Sequence, residues 1–404
     1  MNSDRWLLPE GIEELLPPQA AELDRLRRTL LDLFRRWGYE LVMPPLVEYL
    51  DSLLTGTGND LDIQTFKLTD QASGRLLGVR ADMTPQVARI DAHRLADRAG
   101  PVRLCYHGTV LNTRGDGLGG ARSFTQIGAE LYGHAGVASD SEMLCLMLET
   151  LQAAGVNEVF IDLGHVGIYR ALSAAAGLDE RQESQLFDAL QRKAVPEIEA
   201  LLDEWRLAGD VGARLKELAW LNGGSEVLAR ARQCLGGDAV IAAALDQLEG
   251  LAQLVGRQRP DVPLHFDLAE LRGYHYHTGV VFAAYVPGQG RAIAQGGRYD
   301  DIGRVFGRSR PATGFSANLN GLMRLAGAAP APDRGIFAPV CEDAALQAAQ
   351  AERIAALRAS GERVVAGLPG QAGGAAEAGC DRLLALVDGQ WVIQNSNSQE
   401  KGEQ

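Results

Sequence analysis

The sequence predicts an α+β protein, in which a mainly antiparallel sheet flanked by helices carries a helical insertion and is followed by a small C-terminal α/β appendage. Three observations lead there. Paired apolar runs separated by turn residues recur from Thr65 to Tyr132. A Leu-, Ala-, Glu- and Arg-rich helical stretch interrupts them from about 167 to 259, and strand signals resume at Leu264. At roughly 150 residues per domain, 404 residues suit two or three domains. The reading divides the chain into a main domain 1–327 that contains the insertion, a C-terminal domain 328–394, and a polar tail 395–404 expected to be disordered.

Taken in order, Ala20 to Trp37 set Leu23, Leu26, Leu30, Leu33 and Phe34 at helical spacing, and Gly38 closes the helix. Tyr39 to Met43 reads as a short strand stopped by Pro44 and Pro45. Thr65–Leu68 and Arg75–Arg80 flank the turn Asp70–Gly74 as a hairpin, and Val102–Val110 and Phe124–Tyr132 flank the Gly-rich loop Arg114–Gly120. A helix Ser141–Ala154 leads to a strand Glu158–Leu163. Within the insertion, helical patterns run through Gln182–Arg192, Val195–Glu204 and Ile241–Val255. Strands are then expected at Leu264–Leu271, His277–Val286 and Arg291–Gln295, completing the sheet from far along the chain. After a Pro/Ala linker, the appendage reads as strand Ile336–Val340, helix Ala344–Ala359, strand Val364–Leu368 and apolar runs Leu383–Val387 and Trp391–Gln394.

Composition narrows the function classes. With 39 Lys plus Arg against 52 Asp plus Glu, the net charge of −13 argues mildly against a protein that works mainly by neutralising phosphates. No run approaches the ~18 uninterrupted apolar residues of a membrane span, and a soluble, cytoplasmic protein is expected. The five cysteines are isolated, odd in number and free of C-x-x-C spacing, which argues against a disulfide framework and a zinc knuckle. No P-loop, Rossmann fingerprint or nucleophile triad order is present.

Four short segments concentrate polar chemistry. Asp82 and Thr84, in Arg80-Ala81-Asp82-Met83-Thr84-Pro85, can accept together from one ammonium group, and the same residues also fit a helix N-terminus capped by Asp82. Alternation places Gln126, Gly128 and Glu130 on one strand face. Buried there they would need a polar partner, since each unpaired group costs roughly 1–3 kcal/mol; otherwise they are solvated. Leu271 to His277 holds Arg272, Tyr274, His275, Tyr276 and His277, a density of donors suited to a small anion or carboxylate. The two histidines lack a third ligand at metal spacing, and no metal or cofactor is expected. Gly296-Gly297-Arg298-Tyr299-Asp300 ends the last hairpin strand, where paired glycines admit a close neighbour.

In this order, from about Leu7 to Gly327, the segments resemble histidyl-tRNA synthetase, a class II aminoacyl-tRNA synthetase, which implies the antiparallel sheet of that class. The helix leading into Tyr39–Pro45 is similar to its dimer-forming motif 1, implying a homodimer through this region. By that resemblance Asp82 and Thr84 would hold a histidine ammonium, Gln126 and Arg272 its carboxylate, and Glu130 its imidazole. Tyr274, Tyr276, His277 and Tyr299 complete the expected histidine-binding set. The phosphate-holding residues of the synthetase pattern are replaced: Tyr106 and Gly108 stand in the stretch matched to motif 2, and Asn320 and Gly321 end the stretch matched to motif 3. Losing those charges should abolish adenylation, because removal of a single preorganised donor typically costs ~10² to 10³ in rate.

A histidine-pocket pattern without ATP arginines, joined to a short appendage, resembles the family of ATP phosphoribosyltransferase regulatory subunits. That resemblance implies a non-catalytic chain that activates a short-form catalytic subunit in a hetero-octamer. It also implies feedback inhibition by L-histidine in histidine biosynthesis. Alternatives are a working histidyl-tRNA synthetase and a stand-alone histidine- or RNA-binding sensor.

Overall fold

The computed structural model describes residues 6–55, 59–115, 120–207, 209–274, 276–327 and 334–396, in two compact units, Met1–Gly327 and Ala328–Gln404. The first unit opens with α1 (Gln19–Arg36), β1 (Glu40–Leu41), β2 (Val47–Tyr49), α2 (Leu50–Leu54), α3 (Asn59–Gln64), β3 (Phe66–Thr69) and β4 (Leu76–Val79). It continues through α4 (Thr84–Arg94), β5 (Val102–Leu111), β6 (Ser123–Tyr132), α5 (Val137–Ala153) and β7 (Phe160–His165). The insertion supplies α6 (Val166–Ala176), α7 (Glu180–Gln191), α8 (Val195–Glu204), α9 (Asp210–Leu218), β8 (Asn222–Gly223), α10 (Glu226–Leu235) and α11 (Ala239–Gln258). Then come β9 (Leu264–Asp267), β10 (Val280–Tyr285), β11 (Ala294–Arg298), β12 (Ala312–Asn318) and α12 (Leu319–Leu325).

Among the described residues these strands build a nine-stranded sheet in the order β1-β5-β6-β12-β11-β10-β7-β9-β8. Its central pairs are antiparallel, and β1–β5 and β7–β9 are parallel. Strand alternation separates two faces. Ile127, Ala129 and Leu131 of β6 belong to the core that holds α5, whose Met143, Leu144, Met147 and Leu148 are buried there. Tyr106, Tyr132, Tyr299 and Ala312 join Met83, Val87 and Ala88 in a second core that holds α4.

Several elements differ from the sequence reading. The fifth helix begins at Val137, four residues before Ser141. The strand expected to reach Leu271 ends at Asp267, because the Asp267 carboxylate accepts from the Ala269 N–H (3.0 Å) and its carbonyl from the Glu270 N–H (3.0 Å). His277 lies outside β10, since its N–H bonds the Gly273 carbonyl at 2.7 Å and turns the chain. The last hairpin strand is Ala294–Arg298 and so contains the paired glycines. The insertion is not purely helical: β8 pairs antiparallel with β9 at the sheet edge. A separate three-stranded sheet, β2-β4-β3, adds Val47–Tyr49 to the expected hairpin.

In the second unit β13 (Ile336–Ala338), α13 (Ala344–Ala359), β14 (Val364–Ala366), β15 (Arg382–Val387) and β16 (Gln390–Asn395) form a sheet ordered β14-β13-β15-β16. Ile354 and Leu357 of α13 pack with Ile336, Val364 and Leu384. Asn395 is paired in β16, and Ser396 donates through its N–H to the Asp381 carbonyl at 2.8 Å, so these two residues of the expected tail are ordered. The remaining tail, 397–404, lies outside the described residues, as do most of the Gly-rich loop (116–119) and the linker 328–333.

Candidate functional site

The sheet register makes the site. Glu130, Gly314, Gly297, Val281 and Gly164 face one another in a row across β6, β12, β11, β10 and β7. A second row is Gly128, Ser316, Gln295 and Ala283. Directly opposed residues share a face. The glycines clear space that larger neighbours enter: a Cβ on Gly314 would lie 1.5 Å from Glu130 Oε2, one on Gly128 2.5 Å from the Tyr106 hydroxyl, and one on Gly297 2.9 Å from His277 Cδ2. Above this floor opens a cavity of about 230 Å³. Its lining includes Asp82 and Thr84 from the turn before α4, Glu270, Arg272, Tyr276 and His277 from the connection after β9, and Gln64.

Glu130 is 1% exposed, which excludes the solvated alternative for its strand face. Tyr106 donates to its Oε1 at 2.9 Å and Tyr299 to its Oε2. The Tyr106 hydroxyl also meets Thr84 Oγ1 at 3.0 Å, and Tyr299 reaches the Tyr132 hydroxyl at 3.2 Å. Burial pushes the Glu130 carboxyl up to about 8, although both tyrosines favour its charged form. Burial likewise pushes His277 down to about 4, so its ring is neutral near pH 7.

The turn before α4 places Asp82 both at the start of that helix and at the cavity, with Met83 at the N-cap position. Asp82 Oδ1 accepts from the Thr84 N–H at 3.0 Å, as a capping carboxylate does, while Asp82 and Thr84 both line the cavity. Gln126, 7% exposed, donates to Asp82 Oδ1 at 2.9 Å and accepts from the Met83 N–H at 2.9 Å. Its amide is thus engaged in bracing that turn, and Gln126 is not among the residues lining the cavity, where it was expected to meet a carboxylate.

In the connection after β9, Arg272 grips Glu270 with two bonds, 3.1 and 2.8 Å, and touches the Tyr285 hydroxyl. Its Nη1 has no acceptor among the described residues. Sequence reasoning missed Glu270, which is 7% exposed; an acid two positions before the arginine was the available signal. Tyr274 corrects the expected set, since its ring faces away from the cavity onto Tyr169 and Phe187 of the insertion. Tyr276 stacks on Tyr299 at 4.9 Å and His277 contacts Tyr276 edge-on, keeping all three at the Glu130 end. His275 lies outside the described residues.

The positions matched to the lost ATP groups hold structural side chains. Tyr106 is no vacated phosphate position, because its hydroxyl is a partner of Glu130. Beside Gly108 lies the buried Arg80, whose Nη2 would be 2.2 Å from a Cβ there and which donates to the carbonyls of Thr109 (2.8 Å) and Pro44 (2.7 Å). Asn320 Oδ1 accepts from the Thr125 N–H at 2.8 Å, and the Gly321 N–H caps onto Asn318 at 3.0 Å. Arg324, three residues beyond Gly321, pairs at the surface with Glu13 at 2.8 Å. Among the described residues lining the cavity, Arg272 is the one cation, against the carboxyl groups of Asp82, Glu130 and Glu270.

A mainly antiparallel sheet with this polar cavity on one face is the architecture of a class II aminoacyl-tRNA synthetase-like protein. Histidyl-tRNA synthetase matches as a family over residues 11–322, and the ATP phosphoribosyltransferase subunit HisZ C-terminal domain over residues 333–394. The ATP phosphoribosyltransferase regulatory subunit of Thioalkalivibrio sulfidiphilus is 62% identical over 97% of this chain and 99% of its own length. That of Alkalilimnicola ehrlichii is 58% identical over 96% and 97%. The crystal structure of an ATP phosphoribosyltransferase regulatory subunit/histidyl-tRNA synthetase from Bacillus halodurans C superposes with a TM-score of 0.81 at 29% identity, covering 91% of this chain and 94% of that one. The chain belongs to the family of ATP phosphoribosyltransferase regulatory subunits.

Proposed function

We propose that the chain is the non-catalytic regulatory subunit of an ATP phosphoribosyltransferase, acting in the cytoplasm at the first step of L-histidine biosynthesis. It activates a short-form catalytic subunit within a hetero-octamer and makes that subunit sensitive to histidine. The observation that carries the reading is the 62% identity over nearly the whole of both chains. The cavity supports it, because Asp82, Glu130 and Arg272 offer partners for an ammonium, an imidazole and a carboxylate, while no second guanidinium among the described lining residues could hold a triphosphate. Histidine that binds one state of the complex better shifts the population toward it. A coupling of ~1–3 kcal/mol gives roughly 5- to 150-fold control.

Reconstitution tests this. Phosphoribosyl transfer by a short catalytic subunit is expected to rise on adding the chain and to fall again with histidine, and the two proteins to co-elute. Histidine-dependent pyrophosphate exchange by the chain alone, at a rate typical of a synthetase, would instead show a working ligase.

The segment matched to motif 1 exposes Leu41 (47%) and Met43 (75%) beside β1 at the sheet edge, and Leu46 (46%) follows it, which supports a homodimer there. Met43→Asp is expected to shift sedimentation from dimer to monomer, and a variant that stays dimeric would move the interface elsewhere.

A further inference from the structure

The connection from Asp267 to His277 has two sides. Toward the cavity it presents Glu270, Arg272, Tyr276 and His277. On its other side it is fastened to the insertion at four places. Lys193, just past α7, pairs with Asp267 at 2.6 Å. The Gln191 amide, turned with its oxygen toward the loop, accepts from the Leu271 and Arg272 N–H groups at 3.1 Å each. Arg170 of α6 donates to the Tyr274 carbonyl at 2.6 Å and stands 4.9 Å over the Tyr274 ring. The Tyr274 hydroxyl donates to Glu183 of α7, and its ring meets Tyr169 at 5.3 Å and Phe187 at 5.6 Å.

Gly273 has a φ of +63°, and this left-handed residue separates the cavity-facing Arg272 from the insertion-facing Tyr274. Tyr274 is 5% exposed, so the loop drives one large aromatic side chain into the helices while its neighbours address the cavity. Attachments at four places, three of them on α6 and α7, leave a loop this short and those helices little freedom to shift alone. The polar ones act through groups that are themselves half-buried, where a lost hydrogen bond is felt.

We infer that Tyr274 is a positioning residue which joins the cavity to α6 and α7, so that a ligand ordering Arg272 and His277 also orders the insertion. The inference rests on the reading that the cavity takes histidine, and it names the element through which occupancy is passed on. Hydrogen exchange on the full chain measures this coupling. In the ligand-free protein, Tyr274→Phe and Glu183→Ala each remove the hydroxyl–carboxylate bond and are expected to speed exchange of 268–277 and of α7 about 3- to 10-fold. Glu183→Gln keeps an acceptor and is expected to stay near wild type. Added histidine is expected to protect both loop and α7 in wild type, but the loop alone in the first two variants, with affinity changed less than about 3-fold.

If α7 gains the same protection in those variants as in wild type, the inference falls. If wild type binds no histidine, the cavity reading falls instead, and the ligand-free exchange rates alone decide whether Tyr274 positions the loop. Should Tyr274→Phe fail to fold, Glu183→Ala, altered at a half-buried helix position, decides the matter.

Discussion

Arg298→Met is expected to lower the unfolding free energy by about 3–5 kcal/mol, a large share of the ~5–15 kcal/mol that holds a typical domain together. Arg298 is 4% exposed, and its guanidinium binds both oxygens of Asp140, at 3.2 and 2.8 Å. It also donates to Ser139 Oγ (2.8 Å), Asp300 (3.1 Å) and the carbonyls of His134 (3.2 Å) and Gly136 (3.3 Å). Methionine fills similar volume but leaves Asp140, 1% exposed, as an uncompensated buried charge. Burial already raises the Asp140 carboxyl above its ordinary value, and Arg298 opposes that rise. Without the cation the folded state holds this proton still more tightly. An acid with a raised folded pKa makes stability fall as pH rises from the unfolded toward the folded value, so the variant's deficit should be smaller in mildly acidic than in alkaline buffer. Adding Asp140→Asn should recover part of the loss. Urea unfolding measures all three proteins, and a deficit below about 1 kcal/mol, the scale of an exposed pair, would show that the network is dispensable.

Histidine affinity is expected to be bell-shaped in pH, with limbs near 6.5 and near 8. In the proposed complex Glu130 and the imidazole share one proton. Free imidazole takes up a second proton below about 6.5, and Glu130 loses its own above about 8. Glu130→Gln keeps a single acceptor oxygen for one of Tyr106 and Tyr299, turns an NH2 toward the other, and has no acidic proton to share. It should therefore bind roughly 10- to 150-fold more weakly, corresponding to the ~1.5–3 kcal/mol of a hydrogen bond to a charged group, and should lose the upper limb. Calorimetric titration across pH decides this, and an unchanged profile in the glutamine variant would remove Glu130 from the binding site. The ligand-free protein should show the linked effect: between the ordinary carboxyl value of 4.5 and about 8, Glu130 makes stability fall as pH rises, and Glu130→Gln abolishes that contribution.

Much of the fold was legible because its signals are local. The helix ending at Arg36 follows apolar spacing, the hairpins follow turn residues, and the alternation that set Gln126 and Glu130 on one face is a property of any strand. Register across distant strands was not legible. Nothing near Glu130 announces that Gly314, 184 positions later, lies opposite it. Local reading also could not tell which way a side chain leaves an irregular loop. Tyr274 and Arg272 are two apart, as residues on one strand face would be, yet the turn through Gly273 sends them to opposite sides. For Asp82 a bond to the first N–H of α4 and a place at the cavity coexist, because its Oδ1 accepts from Thr84 while the residue lines the cavity.

The row of glycines beneath the cavity has a consequence for how this protein can diverge. Where the floor is glycine, no single replacement can reshape it gradually: at Gly314 or Gly128 even one methyl group collides with the carboxyl or hydroxyl beside it. Heritable changes in what the chamber admits therefore have to accumulate around these glycines, on walls such as Asp82, Thr84, Glu270 and Arg272 or at floor residues that carry side chains, such as Gln295 and Ser316, while the glycines themselves stay frozen.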